Sequence, residues 1–200
     1  EGLPTGEDIP YSLRVWFSGH PVIFDPSTPG YIVHRDGEDR VTTTSRPAAE
    51  ELAFLDHVLG ADWFEGLSDT DREAIAVKLI RIQLLNTVAN RARDGISAED
   101  RNAFRGALRS LSRQAPLAWR FLSRTEAAVL RAATARSFDG ERLKNAVSKW
   151  RRRASLGSVL PADSTAVFAR QAPLRYAAAS VAMMLLPQGG GRRATLQRLP

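Results

Sequence analysis

From Pro47 onward the apolar positions of this chain recur every three to four residues, and before it they do not. Ala48–Leu59 places Leu52, Leu55 and Leu59 on one face, and Gly60 ends the run. Ser68-Asp69-Thr70-Asp71 is an N-cap cluster with acids in the first turn, where the helix dipole favours them. The helix it starts runs to about Arg93, with one row of Ile75, Leu79, Ile82 and Leu85 and a second of Val77, Ile80, Leu84 and Val88. An apolar face that wide predicts a central helix with both rows in the core. Asp94-Gly95 stops it, and Ser97-Ala98-Glu99-Asp100 caps a further helix that buries Phe104, Leu108 and Leu111. Pro116 opens a helix or turn holding Trp119, Phe121 and Leu122. Thr125–Phe138, Gly140–Arg153 and Ser164–Leu186 supply three more helices, and residues 188–200 form a loose tail.

The first part of the chain reads differently. Residues 1–10 have linker composition. Leu13–Phe17, Val22–Phe24 and Tyr31–His34 are β-prone runs, and Arg35-Asp36-Gly37-Glu38 is a hairpin-type turn leading into Arg40–Thr44. The pattern predicts a single mainly α domain over 11–187, with a small antiparallel sheet over 11–45 and five to seven helices over 48–187.

Charge sharpens this picture. Residues 1–100 carry 9 Lys and Arg against 18 Asp and Glu; residues 101–200 carry 19 against 4. A formal −9 is thus followed by +15 within a total of +6. Such asymmetry points to two lobes that neutralise each other, to a solvated basic face, or to a basic surface for an acidic partner. That partner is an acidic protein first, and nucleic acid or anionic lipid second, because no helix-turn-helix, zinc or RNA-recognition signature is present. Arg101, Arg105, Arg109 and Arg113 share one side of a helix. Lys149, Arg151, Arg152 and Arg153 crowd around Trp150.

The chemistry is restricted. The chain has no Cys, and its three His are His20, His34 and His57. No thiol nucleophile exists, no metal-ligand spacing is visible, and no cofactor motif is found. His57 among Asp56, Asp62 and Glu65 has nothing to fix it as a base. No run approaches the roughly 18 apolar residues of a membrane span. The sequence opens at Glu1, which suggests a piece of a longer protein. Arg152-Arg153-Ala154-Ser155-Leu156 and Arg192-Arg193-Ala194-Thr195-Leu196 match a basophilic kinase pattern that an Arg-rich chain also produces by chance.

Two resemblances add expectations. Gly106-Ala107-Leu108-Arg109-Ser110 resembles the arginine-finger segment of bacterial toxins that switch off Rho-type GTPases, with Arg109 as the finger. The Gln-Trp-Gly-Thr element of that family is absent. Ile9–Val22, containing Ser18-Gly19-His20-Pro21, resembles the end of a bacterial leucine-rich-repeat array, with one residue missing before Ser18 and His20 in the usual Asn place. A helical, Cys-free domain after such an array is similar to the C-terminal domain of the XopL-type effectors. The resemblance implies a virulence effector secreted into the host cytoplasm and acting as an E3 ubiquitin ligase without a catalytic cysteine. Such a protein works by binding, holding a ubiquitin-charged conjugating enzyme beside a host substrate. That work needs an exposed apolar pad ringed by charge. Trp63 and Phe64 are one candidate; Leu156, Val159 and Leu160, near the 149–153 cluster, are another.

Overall fold

A computed structural model describes residues 3, 6–22, 46–152 and 155–185, and these residues are mainly helical with no strand among them. The expected sheet is therefore corrected where it can be seen. Asp8–Trp16 is a helix, α1, and the rest of the expected sheet, residues 23–45, lies outside the described residues. The alternation Leu13, Val15, Phe17 suggests a strand, but the row that packs is Ile9, Leu13, Phe17 at helical spacing. Leu13 is fully buried, and Ile9 and Phe17 pack on the core beside it. Pro10 falls in the first turn, where its missing N–H has no helical acceptor to lose. Residues 1–10 are accordingly not all linker: α1 begins inside them and Leu3 also packs on the core.

The stretch expected as one helix over 48–59 is two, α2 (Ala48–Glu51) and α3 (Phe54–Leu59), broken at Leu52–Ala53. The bend brings Leu52, Phe54, Leu55, Val58 and Leu59 all inside. A short α4 (Asp62–Glu65) follows. The central helix is α5 (Asp69–Leu79), a π-helical stretch Ile80–Leu84 and α6 (Leu85–Asp94) in direct succession. Ser68 Oγ accepts from Asp71 N–H at 3.2 Å at its start, and Gly95 at φ 102° ends it in a conformation that only glycine adopts without strain.

The π stretch corrects the core. A π turn holds an extra residue, so it advances the apolar rows by one position. Ile75, Leu79 and Leu85 are buried with Val77, Ile80, Leu84 and Val88, whereas Ile82 is 48% exposed.

α7 (Ala98–Gln114) starts on a capping box in which Ser97 and Asp100 bond each other's backbone N–H. Asp100 Oδ1 also accepts from Ala48 N–H at 3.1 Å, so one carboxylate joins the starts of α7 and α2. Ala118–Phe121 is a 3-10 turn. α8 (Arg124–Thr134) opens on a second capping box, Ser123 with Glu126, and α9 (Gly140–Arg151) on an Asp139 cap. These two helices form the most extensive pairing in the molecule. The last expected helix, 164–186, is interrupted. α10 (Leu156–Val159) and a 3-10 turn Ser164–Ala166 lead to α11 (Pro173–Leu185), because Pro173 has no N–H to continue a helix from before it.

Candidate functional site

The groove beside the π stretch is built around Arg81. Its Nε donates to Glu126 Oε1 at 3.1 Å and Oε2 at 3.3 Å. Nη2 donates to the Phe121 carbonyl at 2.7 Å and Nη1 to the Gln171 carbonyl at 3.2 Å. The guanidinium also lies over the Tyr176 ring, 5.4 Å from its centroid. Glu126 closes the network: its Oε2 accepts from Ser123 N–H at 2.6 Å while its own N–H donates to Ser123 Oγ at 3.1 Å. One arginine thereby ties the central helix to the start of α8, to the 3-10 turn and to the root of α11.

Around this network lies an open cavity of about 1080 Å³. Leu13, Trp16 and Phe17 of α1, Asp71, Lys78 and Ile82 of the central helix, and Val159, Arg170 and Tyr176 from the last part of the chain are among the residues that line it. Trp16, Ile82 and Tyr176 are all more than 45% exposed. Displacement of Ile82 by the π turn is what supplies apolar surface here. Arg81 and Glu126 satisfy each other, and Asp71 accepts from Ser68 Oγ at 2.7 Å, so Lys78 and Arg170 are the cations left to a ligand. The arrangement can bind an apolar segment with acidic flanks. Among the described residues no group of three His, Asp or Glu is placed to hold a metal.

The sequence-nominated residues scatter. Phe64 is wholly buried, with Trp63 half-buried and edge-on against it at 5.9 Å, so this pair is core and not a surface pad. Val159 lines the groove, Leu160 is half-buried, and Leu156 points outward at 81% exposure. Lys149, Arg151 and Arg152 are exposed while Trp150 packs on the core; Arg153 lies outside the described residues. Arg109 is exposed midway along α7, beside a shallow hollow of about 410 Å³ shared with Leu108, Ser112 and Arg113. His57 is exposed, its Nδ1 3.4 Å from the Ala53 carbonyl oxygen.

The basic stripe of α7 divides in the fold. Arg105 donates from Nε to the Thr134 carbonyl at 3.1 Å and from Nη2 to the Ala135 carbonyl at 2.8 Å, capping the negative end of α8. Arg101 stacks over Phe138 at 4.7 Å. Arg109 and Arg113 stay outside. The described ion pairs do not neutralise the basic half with the acidic half. Arg72–Asp69 and Arg91–Glu51 lie within the first half, Arg120–Asp163 and Lys144–Glu141 within the second, and Arg81–Glu126 crosses in the opposite sense.

Three of the described carboxylates are perturbed. Glu99, in the first turn of α7, is held down by a hydrogen bond from its own backbone N–H and by one with the Ser97 side chain. Hydrogen bonds from the Thr165 hydroxyl and backbone N–H, then from Arg120, hold Asp163 down at about 2. Burial, with repulsion from Asp69, raises Glu73, and the charge of Arg120 opposes that rise. The sequence nominated neither Asp163 nor Glu73: Arg120, whose charge acts on both, is brought to them only by the fold.

No protein-family model matches the chain, and comparison with curated proteins and with solved structures finds no significant match.

Proposed function

We propose that this domain acts by binding, taking an apolar, acid-flanked segment of another protein into the groove beside Arg81. The observation that carries the reading is the groove itself. It is an open cavity at the upper end of small-ligand size, whose lining holds the exposed Trp16, Ile82 and Tyr176 together with Lys78 and Arg170. Its fixed network positions the walls and leaves the apolar surface uncommitted.

In the enzymatic form of this proposal the partner is a ubiquitin-charged conjugating enzyme, and the domain is a Cys-independent E3 ligase of a bacterial effector in the host cytoplasm. A chain without a thiol forms no thioester, so transfer would rest on proximity of the charged enzyme to a substrate lysine. An in vitro ubiquitination assay over a panel of conjugating enzymes tests it, with Ile82→Asp as the groove variant. Ubiquitin chains that depend on the domain and vanish in Ile82→Asp support the ligase. Chains with no enzyme of the panel remove it and leave the non-enzymatic form. That form is tested by cross-linking from the groove, using a photoreactive side chain at position 82 to capture an acidic partner. Capture unaffected by an added Lys78→Glu would count against it.

A further inference from the structure

The last described helix is out of keeping with the rest. α11 leaves the body of the molecule at Ala172 and Pro173, which are buried, and from Ala178 onward nearly every described position is exposed. Successive residues of a helix point about 100° apart. The exposed run Ala178, Ala179, Ser180, Val181, Ala182, Met184, Leu185 therefore covers every side of it. Met184 and Leu185 are 82% and 78% exposed. Arg175 is the one charge on the helix, and the Ser180 hydroxyl is satisfied internally, donating to the Tyr176 carbonyl at 2.9 Å. A helix apolar on all sides belongs in a protein core or in lipid. Two more apolar tips project nearby. Leu156 at 81% exposure stands on α10, which packs against α11, and Phe168 at 84% precedes the root of α11.

The charge around this edge has one sign. From Arg142 to Pro200 the sequence holds a single acid, Asp163, and Arg120 already binds it at 2.7 Å. Arg151, Arg152, Arg170 and Arg175 are exposed. A symmetric pairing of two copies through this edge would set those arginines against their own equivalents. A folded acidic partner would cover one side of α11 and leave the others in water. A fluid surface covers all sides at once. At about 1.5 Å per residue α11 is about 20 Å long, too short to cross a hydrocarbon layer of about 30 Å. Among the described residues no helix is long and apolar enough to span a membrane.

We propose that the α10–α11 edge is a membrane-surface anchor. α11 lies in the interface of an anionic bilayer, Val181, Met184 and Leu185 enter the acyl boundary, and the arginines around its root meet the headgroups.

Co-sedimentation of the whole chain with phosphatidylcholine vesicles, with and without phosphatidylserine, tests this at two salt concentrations. The expected result is binding that requires phosphatidylserine and weakens with salt. Arg151→Ser/Arg152→Ser should lower it on the order of tenfold. Val181→Ser/Met184→Ser/Leu185→Ser should lower it as much or more while helix content away from α11 is retained, since those side chains support nothing else. Absence of sedimentation with either vesicle overturns the proposal. So does vesicle binding that the triple variant leaves intact, or a dimer without vesicles that the triple variant dissolves. Val181, Met184 and Leu185 do not line the groove, so failure here is separate from failure of the groove reading.

Discussion

Arg81 and Glu126, 45 residues apart, form a two-point ion pair in which one guanidinium nitrogen donates to both oxygens of the carboxylate that caps α8. Both side chains are less than a fifth exposed. Removing one member leaves the other charged and largely dehydrated, which is the costly way to break such a pair. Arg81→Ala also deprives the Phe121 and Gln171 carbonyls of their donor. It should lower stability by about 3 kcal/mol in urea unfolding. A double variant with Glu126→Ala should cost less than the sum of the two single changes.

The π stretch sets neighbours on one expected row apart. Leu79→Ala or Leu85→Ala should cost about 2–5 kcal/mol, because each leaves a cavity in the core. Ile82→Ser should stay within about 0.5 kcal/mol. Equal losses at Ile82 and Leu79 would show that the central helix is regular in solution.

Arg105 and Arg109 are one turn apart on α7 and should differ. Arg105 holds two carbonyls at the end of α8, so Arg105→Ala should cost roughly 1.5–3 kcal/mol in thermal unfolding. Arg109→Ala should leave the melting temperature almost unchanged, since its side chain is exposed.

Replacing Lys149, Arg151 and Arg152 together by Ser separates a docking surface from an internally neutralised one. All three are exposed, and among the described residues no side-chain hydrogen bond or ion pair is found for them. Stability should hold within about 0.5 kcal/mol. Association with an acidic partner should slow and lose its salt dependence, as read by stopped-flow at two ionic strengths. A lower melting temperature with an unchanged association rate would end the docking reading.

Asp163 predicts an acid-side pH dependence. Its folded pKa, about 2, lies below the ordinary 3.8, so the native state binds the proton less readily than the unfolded chain. The stabilisation from Thr165 and Arg120 is therefore fully present above about 3.8 and is lost as pH falls toward 2. Unfolding of Asp163→Asn, followed over that range, should show a shallower slope than the parent chain.

What the sequence determined by itself is local. The helices start where the Ser68 and Ser97 clusters were expected to cap them, because a cap and the N–H groups it serves lie within one turn. The mainly helical class, the split of charge and the absence of any thiol need no coordinates either. Tertiary structure decided what depends on distant partners. Alternation at Leu13–Phe17 suits a strand until the core accepts Ile9, Leu13 and Phe17 as a helical row. Ile82 is indistinguishable from Leu79 until a π turn rotates it into the groove. Four arginines at equal spacing on α7 look alike, yet only Arg101 and Arg105 meet Phe138 and the end of α8. The groove follows the same rule, since its centre is a contact between residues 81 and 126, which are brought together only when the helices pack.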